Sequence, residues 1–129
     1  MSHLTICKSK IRNPHPQILR LAMEAIAKEL GSEVVEDYVV RGGMYTRRCL
    51  FAIPMRLRYG NGYGVCIKPN GEVEVVVDEA GAPLTAREFA EKLNQFYAVY
   101  AVCEAARHLG FTVQSIQQVA NGFLIDLGR

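Results

Sequence analysis

A cysteine and a histidine stand four residues apart near the start of the chain, and together they have the composition of a nucleophile and its base. His3, Thr5 and Cys7 share one face of a regular strand, because side chains alternate along a strand. Positions four apart on a strand are separated by about 13 Å, which is beyond hydrogen-bond reach. We therefore interpret Cys7 as a buried thiol and His3 as a polar residue near the chain start.

Metal ligands do not occur in the spacings that zinc sites use. Glu104 and His108 have the i, i+4 spacing that puts two side chains together on a helix, but no second pair of ligands accompanies them. The cysteines form no CxxC pair: Cys7, Cys49, Cys66 and Cys103. We expect an exposed helical pair, no metal, and four reduced thiols acting as small core hydrophobes. A disulfide is the alternative, with its pairing left open.

The remaining candidates for enzymatic chemistry are a carboxylate cluster and a glycine-rich turn. The carboxylates are Asp37, Glu72, Glu74, Asp78 and Glu79. Their spacing fixes no two of them at a general acid/base distance. The Gly-Asn-Gly-Tyr-Gly segment 60–64 leads into a strand and lacks the following helix and Lys-Ser/Thr of a phosphate-binding loop. The sequence therefore predicts no enzyme and no cofactor.

Basic and aromatic residues are interleaved along the adjacent predicted strands 45–59 and 63–68, as on sheets that bind single-stranded nucleic acid. The candidate basic surface consists of Arg48, Arg56, Arg58 and Lys68. Tyr45 and Tyr59 fall on the opposite, mostly apolar face of a regular strand, which weakens this interpretation. Glu72 and Glu74 on a following strand are placed to neutralise the arginines. Nucleic-acid binding through this basic sheet face is therefore the alternative function.

Nine elements are predicted to position these side chains. Strands are predicted over residues 3–11, 33–41, 45–59, 63–68, 72–78, 112–119 and 123–127. The first helix is predicted to begin with Asn13 as N-cap and Pro14 at its first position, and to end at Gly31. The second begins at the capping box of Thr85 and Glu88 and ends near residue 109. Pro54 indicates an edge, a bulge or a break in its strand.

The order β-α-β-β-β-β-α-β-β predicts a single α+β domain over residues 1–129. Its sheet is mainly antiparallel, and the two amphipathic helices are packed on one face. The other face is then free for a partner or a second copy. Leu50, Ala52 and Val76 make that face partly apolar.

Composition excludes several classes of protein. The chain of 129 residues is 50% hydrophobic and 22% charged, which excludes a disordered chain. Its net charge of +2 divides into +5 for residues 1–60 (ten basic, five acidic) and −3 for residues 61–129 (five basic, eight acidic). No apolar run is long enough to span a membrane and no secretory signal is visible, so we expect a cytoplasmic protein without a membrane partner.

Several short motifs resemble an uncharacterised family. They are the Met-Ser-His opening, the Lys/Arg-rich first strand, the hairpin Gly-Tyr-Gly-Val-Cys-Ile-Lys-Pro-Asn-Gly-Glu at 62–72, the helix containing 94–100 and the closing Gly-Phe-x-Val. The chain resembles the domain-of-unknown-function family typified by the hypothetical chloroplast reading frame thirty-five (ycf) proteins. It departs from that family in Glu79-Ala80-Gly81, where an aromatic residue is expected, and in a longer first helix. The resemblance implies no reaction, but it implies an AAA-type ATPase as a partner.

These observations together predict a small interaction module rather than an enzyme. It is expected to act through protein partners or by self-association.

Overall fold

The computed structural model describes residues 3–129, so Met1 and Ser2 of the motif-bearing opening lie outside the described residues. Its elements are β1 (Thr5–Arg12), α1 (Pro16–Glu29), β2 (Val35–Gly42), β3 (Tyr45–Pro54), β4 (Gly62–Ile67), β5 (Glu72–Val77), α2 (Ala86–His108), β6 (Thr112–Val119) and β7 (Gly122–Gly128). The predicted order of elements and the α+β class are confirmed.

Five strands form one antiparallel sheet in the order β1-β5-β4-β3-β2, and β6 and β7 form a separate two-stranded hairpin. Both helices pack on one face of the sheet, where Leu19 and Met23 of α1 meet Phe89 and Leu93 of α2 in the main core. Within residues 3–129, no helix combines the length and apolarity that crossing a membrane requires.

The first helix begins later than the sequence predicts. Asn13 adopts φ 48°, a left-handed turn conformation, instead of capping the helix. The N-cap is His15, whose Nδ1 accepts a hydrogen bond from the backbone N–H of Gln17 at 3.2 Å. Pro16, rather than Pro14, occupies the first turn, where a missing N–H costs no helical bond. The second helix begins as predicted, with both hydrogen bonds of the Thr85–Glu88 capping box present.

The third strand ends at Pro54 instead of continuing to Tyr59. Pro54 is opposite Gly62, the first residue of β4, and the chain turns through residues 55–61 between these two positions. Gly62 has φ 143°, and a Cβ there would clash with the backbone carbonyl oxygen of Ile53. The close approach of the two strands at this point therefore requires glycine.

The face of the sheet that lies away from the helices is not open. Val40, Cys49, Ala52, Cys66 and Val76 form a second core there, against which Leu4, Val35 and Tyr38 pack. Ala52 and Val76 are 0% exposed, so the prediction that they form a free apolar face with Leu50 is wrong. Only Leu50 of the three is exposed, at 42%.

Strand curvature is the physical reason for this closure. A Cβ on Gly42 of β2 would meet the Leu4 side chain at 2.8 Å and Cβ of Asp78 at 3.0 Å. The end of β2 therefore reaches residues beside β1 and β5, although β2 and β1 are at opposite edges of the sheet. The alternating pattern of a strand shows which residues share a face, but it does not show how strongly the sheet coils.

Asparagine side chains form hydrogen bonds with backbone groups of both edge strands of the five-stranded sheet. Asn61 accepts from the N–H of Arg41 at 2.7 Å and donates to the carbonyl of Val39 at 3.0 Å, which satisfies two groups of β2. Asn94 of α2 accepts from the N–H of Lys10 at 3.2 Å and from Oγ of Ser9 at 2.6 Å. Blocked edge groups cannot pair with a strand of another molecule.

Candidate functional site

The four predicted surface residues lie in different parts of the fold. Arg48 is on β3 and donates to Asp37 of β2 at 2.8 Å. Lys68 follows β4, with its Nζ 3.9 Å from a carboxylate oxygen of Glu72. Arg56 and Arg58 lie in segment 55–61, because β3 has already ended. The structure thus places Arg48, Arg56 and Arg58 outside a common strand face.

The two glutamates expected to neutralise the arginines do bind basic residues, but different ones. Glu74 accepts from Arg47 at 2.8 Å, and this ion pair is partly buried. Glu72 lies 3.3 Å from Nζ of Lys8, and that hydrogen bond lowers the pKa of Glu72. Arg47 is therefore the arginine of β3 that the acidic strand compensates.

A smaller basic surface is left around segment 55–61. Within the described residues, no carboxylate lies at ion-pair distance from Arg41, Arg56 or Arg58. The Arg58 guanidinium lies 5.2 Å from the centre of the exposed Tyr59 ring. Segment 55–61 thus combines uncompensated positive charge with an exposed aromatic ring.

Two of the four cysteines are neighbours. Sγ of Cys49 and Sγ of Cys66 lie 2.9 Å apart in the second core. Cys7 packs at the edge of the main core, and Cys103 is fully buried. All four are free thiols. The sequence did not indicate the Cys49–Cys66 pair, because its 17-residue separation becomes a contact only through strand pairing.

The other candidates for chemistry have separate structural partners. Nε2 of His108 lies 3.2 Å from Glu104 on the exposed side of α2, as expected for a helical pair. The carboxylate of Glu79 accepts from the N–H of Ala86 at 2.7 Å and helps to begin α2. Asp78 is buried, and its Oδ1 accepts from the N–H of Ala80 at 3.3 Å. No group of three metal-ligating side chains forms within residues 3–129.

The C-terminal hairpin, β6 and β7 with their connecting turn, exposes several large apolar side chains. It contacts the rest of the molecule through α2, where Phe123 packs on Phe96 with ring centroids 5.4 Å apart. Its exposed large apolar side chains are Ile116, Val119, Leu124 and Leu127. Two further apolar residues are exposed nearby in the sequence, Val102 on α2 and Leu109 at the C-cap of this helix.

Charge is nearly absent from this part of the chain. Residues 111–129 contain one acidic and one basic side chain, Asp126 and Arg129. Asp126 accepts from Oγ of Ser115 at 2.7 Å, and the Arg129 guanidinium lies 4.7 Å from the centre of the Phe111 ring. Sequence reasoning did not single out the hairpin, although this lack of charge is a signal in the sequence that could have identified it.

One family matches the chain. The family described as "Protein of unknown function (DUF1257)" matches residues 26–124, from within α1 to within β7. No curated protein and no solved structure matches the chain. The matched family description assigns no activity, so the surfaces described above carry the functional argument.

Proposed function

We propose that this chain, which belongs to the family described as "Protein of unknown function (DUF1257)", is an interaction module that associates with a second copy of itself through the C-terminal hairpin. The observation that carries the proposal is that the two strands of the hairpin expose four large apolar side chains and carry a single charged one. Leu124 is 50% exposed and lies opposite Gln117, on the face of the hairpin that alternates away from Phe123 and α2. A two-stranded sheet is marginally stable alone and gains from further strands or further apolar cover.

The strand edges support the same proposal. Asparagine side chains block backbone groups at both edges of the five-stranded sheet. Within residues 3–129, no backbone hydrogen bond joins the outer edge of β6 or β7 to another segment. An open edge whose strands carry a single charged side chain, Asp126, favours pairing with another strand.

A second copy is the occupant that the charges favour. The two charged residues of this region already have partners within the same molecule: Asp126 binds Ser115, and Arg129 lies over the ring of Phe111. Two copies can therefore meet without repulsion between like charges. The same surface on both molecules suits a two-fold interface, which is the commonest symmetry of soluble oligomers.

Sedimentation equilibrium over a range of micromolar concentrations tests this proposal. We expect the wild-type chain to dimerise and Leu124→Lys to weaken the dimer more than about tenfold, because two ammonium groups are brought into an apolar interface. Leu50→Lys is the matched control, since Leu50 is 42% exposed on β3 and also lies in a strand. A monomeric wild type, or equal weakening by the two variants, contradicts the proposal.

The resemblance to the chloroplast reading frame thirty-five family supplies an alternative occupant, an AAA-type ATPase. This partner becomes the favoured one if the wild-type chain is monomeric and an ATPase encoded by an adjacent gene co-purifies with it. The proposal also keeps two expectations from the sequence, that residues 1–129 act as one domain and that they act in the cytoplasm.

Segment 55–61 supports nucleic-acid binding as a second candidate function. Within the described residues, Arg41, Arg56 and Arg58 have no carboxylate at ion-pair distance, and Tyr59 provides a ring for base stacking. Of the residues first considered, Arg48 and Lys68 already face acidic partners.

Fluorescence anisotropy with single- and double-stranded oligonucleotides at two salt concentrations tests this candidate. We expect salt-sensitive binding that the double variant Arg56→Gln/Arg58→Gln reduces about tenfold or more, because each lost phosphate contact weakens binding. Arg48→Gln is the control, since that guanidinium is paired with Asp37. Binding that is absent or independent of salt removes this candidate.

A further inference from the structure

The Cys49–Cys66 pair arises from a local irregularity in two neighbouring strands. Cys49 and Ala52 of β3 lie in the same second core although they are three residues apart, which strict alternation does not allow. Opposite this point, Asp37 of β2 adopts φ 51°, and it has no register partner between the pairs of Glu36 and Tyr38. The register of β2 and β3 is the same on both sides of Asp37, so the two strands change face together at this point. This change places the Cys49 thiol in the second core, on the side where Cys66 of β4 lies.

The thiols fit in the second core because Gly64 of β4 has no side chain. A Cβ on Gly64 of β4 would overlap Sγ of Cys49, and it would lie 2.6 Å from Cγ2 of Val40. The two sulfur atoms therefore share a site bounded by apolar side chains of β2, β3 and β5. The site is small and holds both thiols in contact.

Charged groups lie beside this site on one side. Glu74 is the register partner of Cys66 and binds Arg47 at 2.8 Å. The hydrogen bond shared with Cys49 lowers the pKa of Cys66, and the Arg47 guanidinium lowers it further. The same hydrogen bond and burial raise the pKa of Cys49. Cys66 is also the more accessible thiol, with 6% of its surface exposed against 1% for Cys49.

We propose that Cys49 and Cys66 form a redox modification site, at which hydrogen peroxide converts the two thiols into a disulfide between β3 and β4. The Cys66 thiolate attacks one peroxide oxygen, the O–O bond breaks, and the departing oxygen leaves as water after protonation, which makes Cys66 a sulfenic acid. The Cys49 sulfur then attacks the Cys66 sulfur, the S–O bond breaks, and the hydroxyl leaves as a second water with the Cys49 proton. The two sulfurs lose two electrons, which reduce the peroxide.

Proximity distinguishes this pair from the remaining thiols. Cys7 packs against the main core and Cys103 is buried in α2, and both are outside the second core. A sulfenic acid on Cys66 meets a resolving thiol at contact distance, whereas one on Cys7 has no second thiol in its cluster.

The experiment exposes the reduced full-length chain to hydrogen peroxide and then denatures and alkylates it for mass spectrometry. We expect the loss of two alkylated thiols, a mass lower by two hydrogens, and one linked peptide pair containing Cys49 and Cys66. The Cys7→Ser/Cys103→Ser variant retains this reaction. Cys49→Ala stops it at a Cys66 sulfenic acid that dimedone traps.

Two variants that remove a charge distinguish an electrostatic effect on the oxidation rate of Cys66 from an effect of local destabilisation. Arg47→Gln removes the positive charge that favours the thiolate and slows oxidation about fivefold, whereas Arg47→Lys recovers part of the rate. Glu74→Gln removes a negative charge that raises the pKa of Cys66 and therefore accelerates oxidation. Since both Gln variants break the same ion pair, a purely structural effect changes both rates in one direction. That result, or a disulfide that involves Cys7 or Cys103, overturns the proposal.

Discussion

Replacing Tyr63 with alanine is expected to lower the free energy of unfolding by about 4 kcal/mol, as is typical for removal of a buried ring. Tyr63 of β4 is fully buried and stacks on Phe89 of α2, with ring centroids 4.7 Å apart. Its hydroxyl donates to the carbonyl of Leu84 at 2.8 Å and accepts from the N–H of Leu84 at 2.9 Å. One side chain thus fixes both the first turn of α2 and the segment that leads into it.

Tyr63→Phe separates the two contributions. The ring stack stays and only the two bonds to Leu84 are lost, so we expect a cost of about 1–2 kcal/mol. Urea unfolding followed by circular dichroism measures both variants. Equal costs for the alanine and phenylalanine variants would show that the ring stack contributes nothing.

The hydroxyl also makes stability depend on alkaline pH. Burial raises the pKa of Tyr63 above its ordinary value of 10.0. A raised pKa in the folded state means that this contribution is complete below pH 10 and is lost as the pH rises through the folded-state pKa. Unfolding measured at increasing pH above 10 is therefore expected to show a smaller loss of stability for Tyr63→Phe than for the wild type.

Gly64→Ala is expected to destabilise the chain by about 3 kcal/mol through overpacking of the second core. The added methyl would overlap Sγ of Cys49 and lie 2.6 Å from Cγ2 of Val40, and both residues are fully buried. Because β4 is hydrogen-bonded to β3 on one side and to β5 on the other, its backbone cannot shift to make room for the added methyl group.

A double-mutant cycle with Cys49→Ala tests the cause. Removal of Sγ relieves the shortest contact, so the double variant is expected to be more stable than the sum of the two single changes by about 1 kcal/mol or more. Strict additivity would show that the cost of the Gly64 substitution does not come from the thiol. Thermal unfolding of the four proteins provides the measurement.

Local signals in the sequence were sufficient for the element order. The capping box at Thr85 and the Asn-Gly turn at 121–122 each depend on residues adjacent in sequence, and both elements form where expected. Errors arose where two local signals competed. Asn13-Pro14 and His15-Pro16 both resemble a helix start, and the structure uses the second.

The features that could not be predicted from the sequence depend on tertiary contacts. The alternating pattern of residues 45–59 continues past Pro54, yet the strand ends there because the chain must cross to the edge of β2, where Asn61 binds Arg41. The second core and its thiol pair depend on a change of face within β3 and on coiling of the sheet, and neither leaves a periodic signal in the sequence. The basic residues could be named in advance, but their partners depended on strand register.

The asparagine at the edge of β2 also affects how the molecule ages chemically. Asn61, Asn70 and Asn121 each precede glycine, and in this dipeptide the backbone nitrogen of the glycine most readily attacks the asparagine side-chain amide and deamidates it. Two hydrogen bonds fix the amide of Asn61, and the amide oxygen of Asn70 accepts one from the N–H of Glu72 at 3.0 Å. Within residues 3–129 the side chain of Asn121 makes no such bond, and it is exposed at the hairpin turn. Deamidation therefore begins at the hairpin tip and adds a negative charge to the segment that otherwise has almost none. A stored sample thus acquires charge heterogeneity at the proposed contact surface while its five-stranded sheet stays intact.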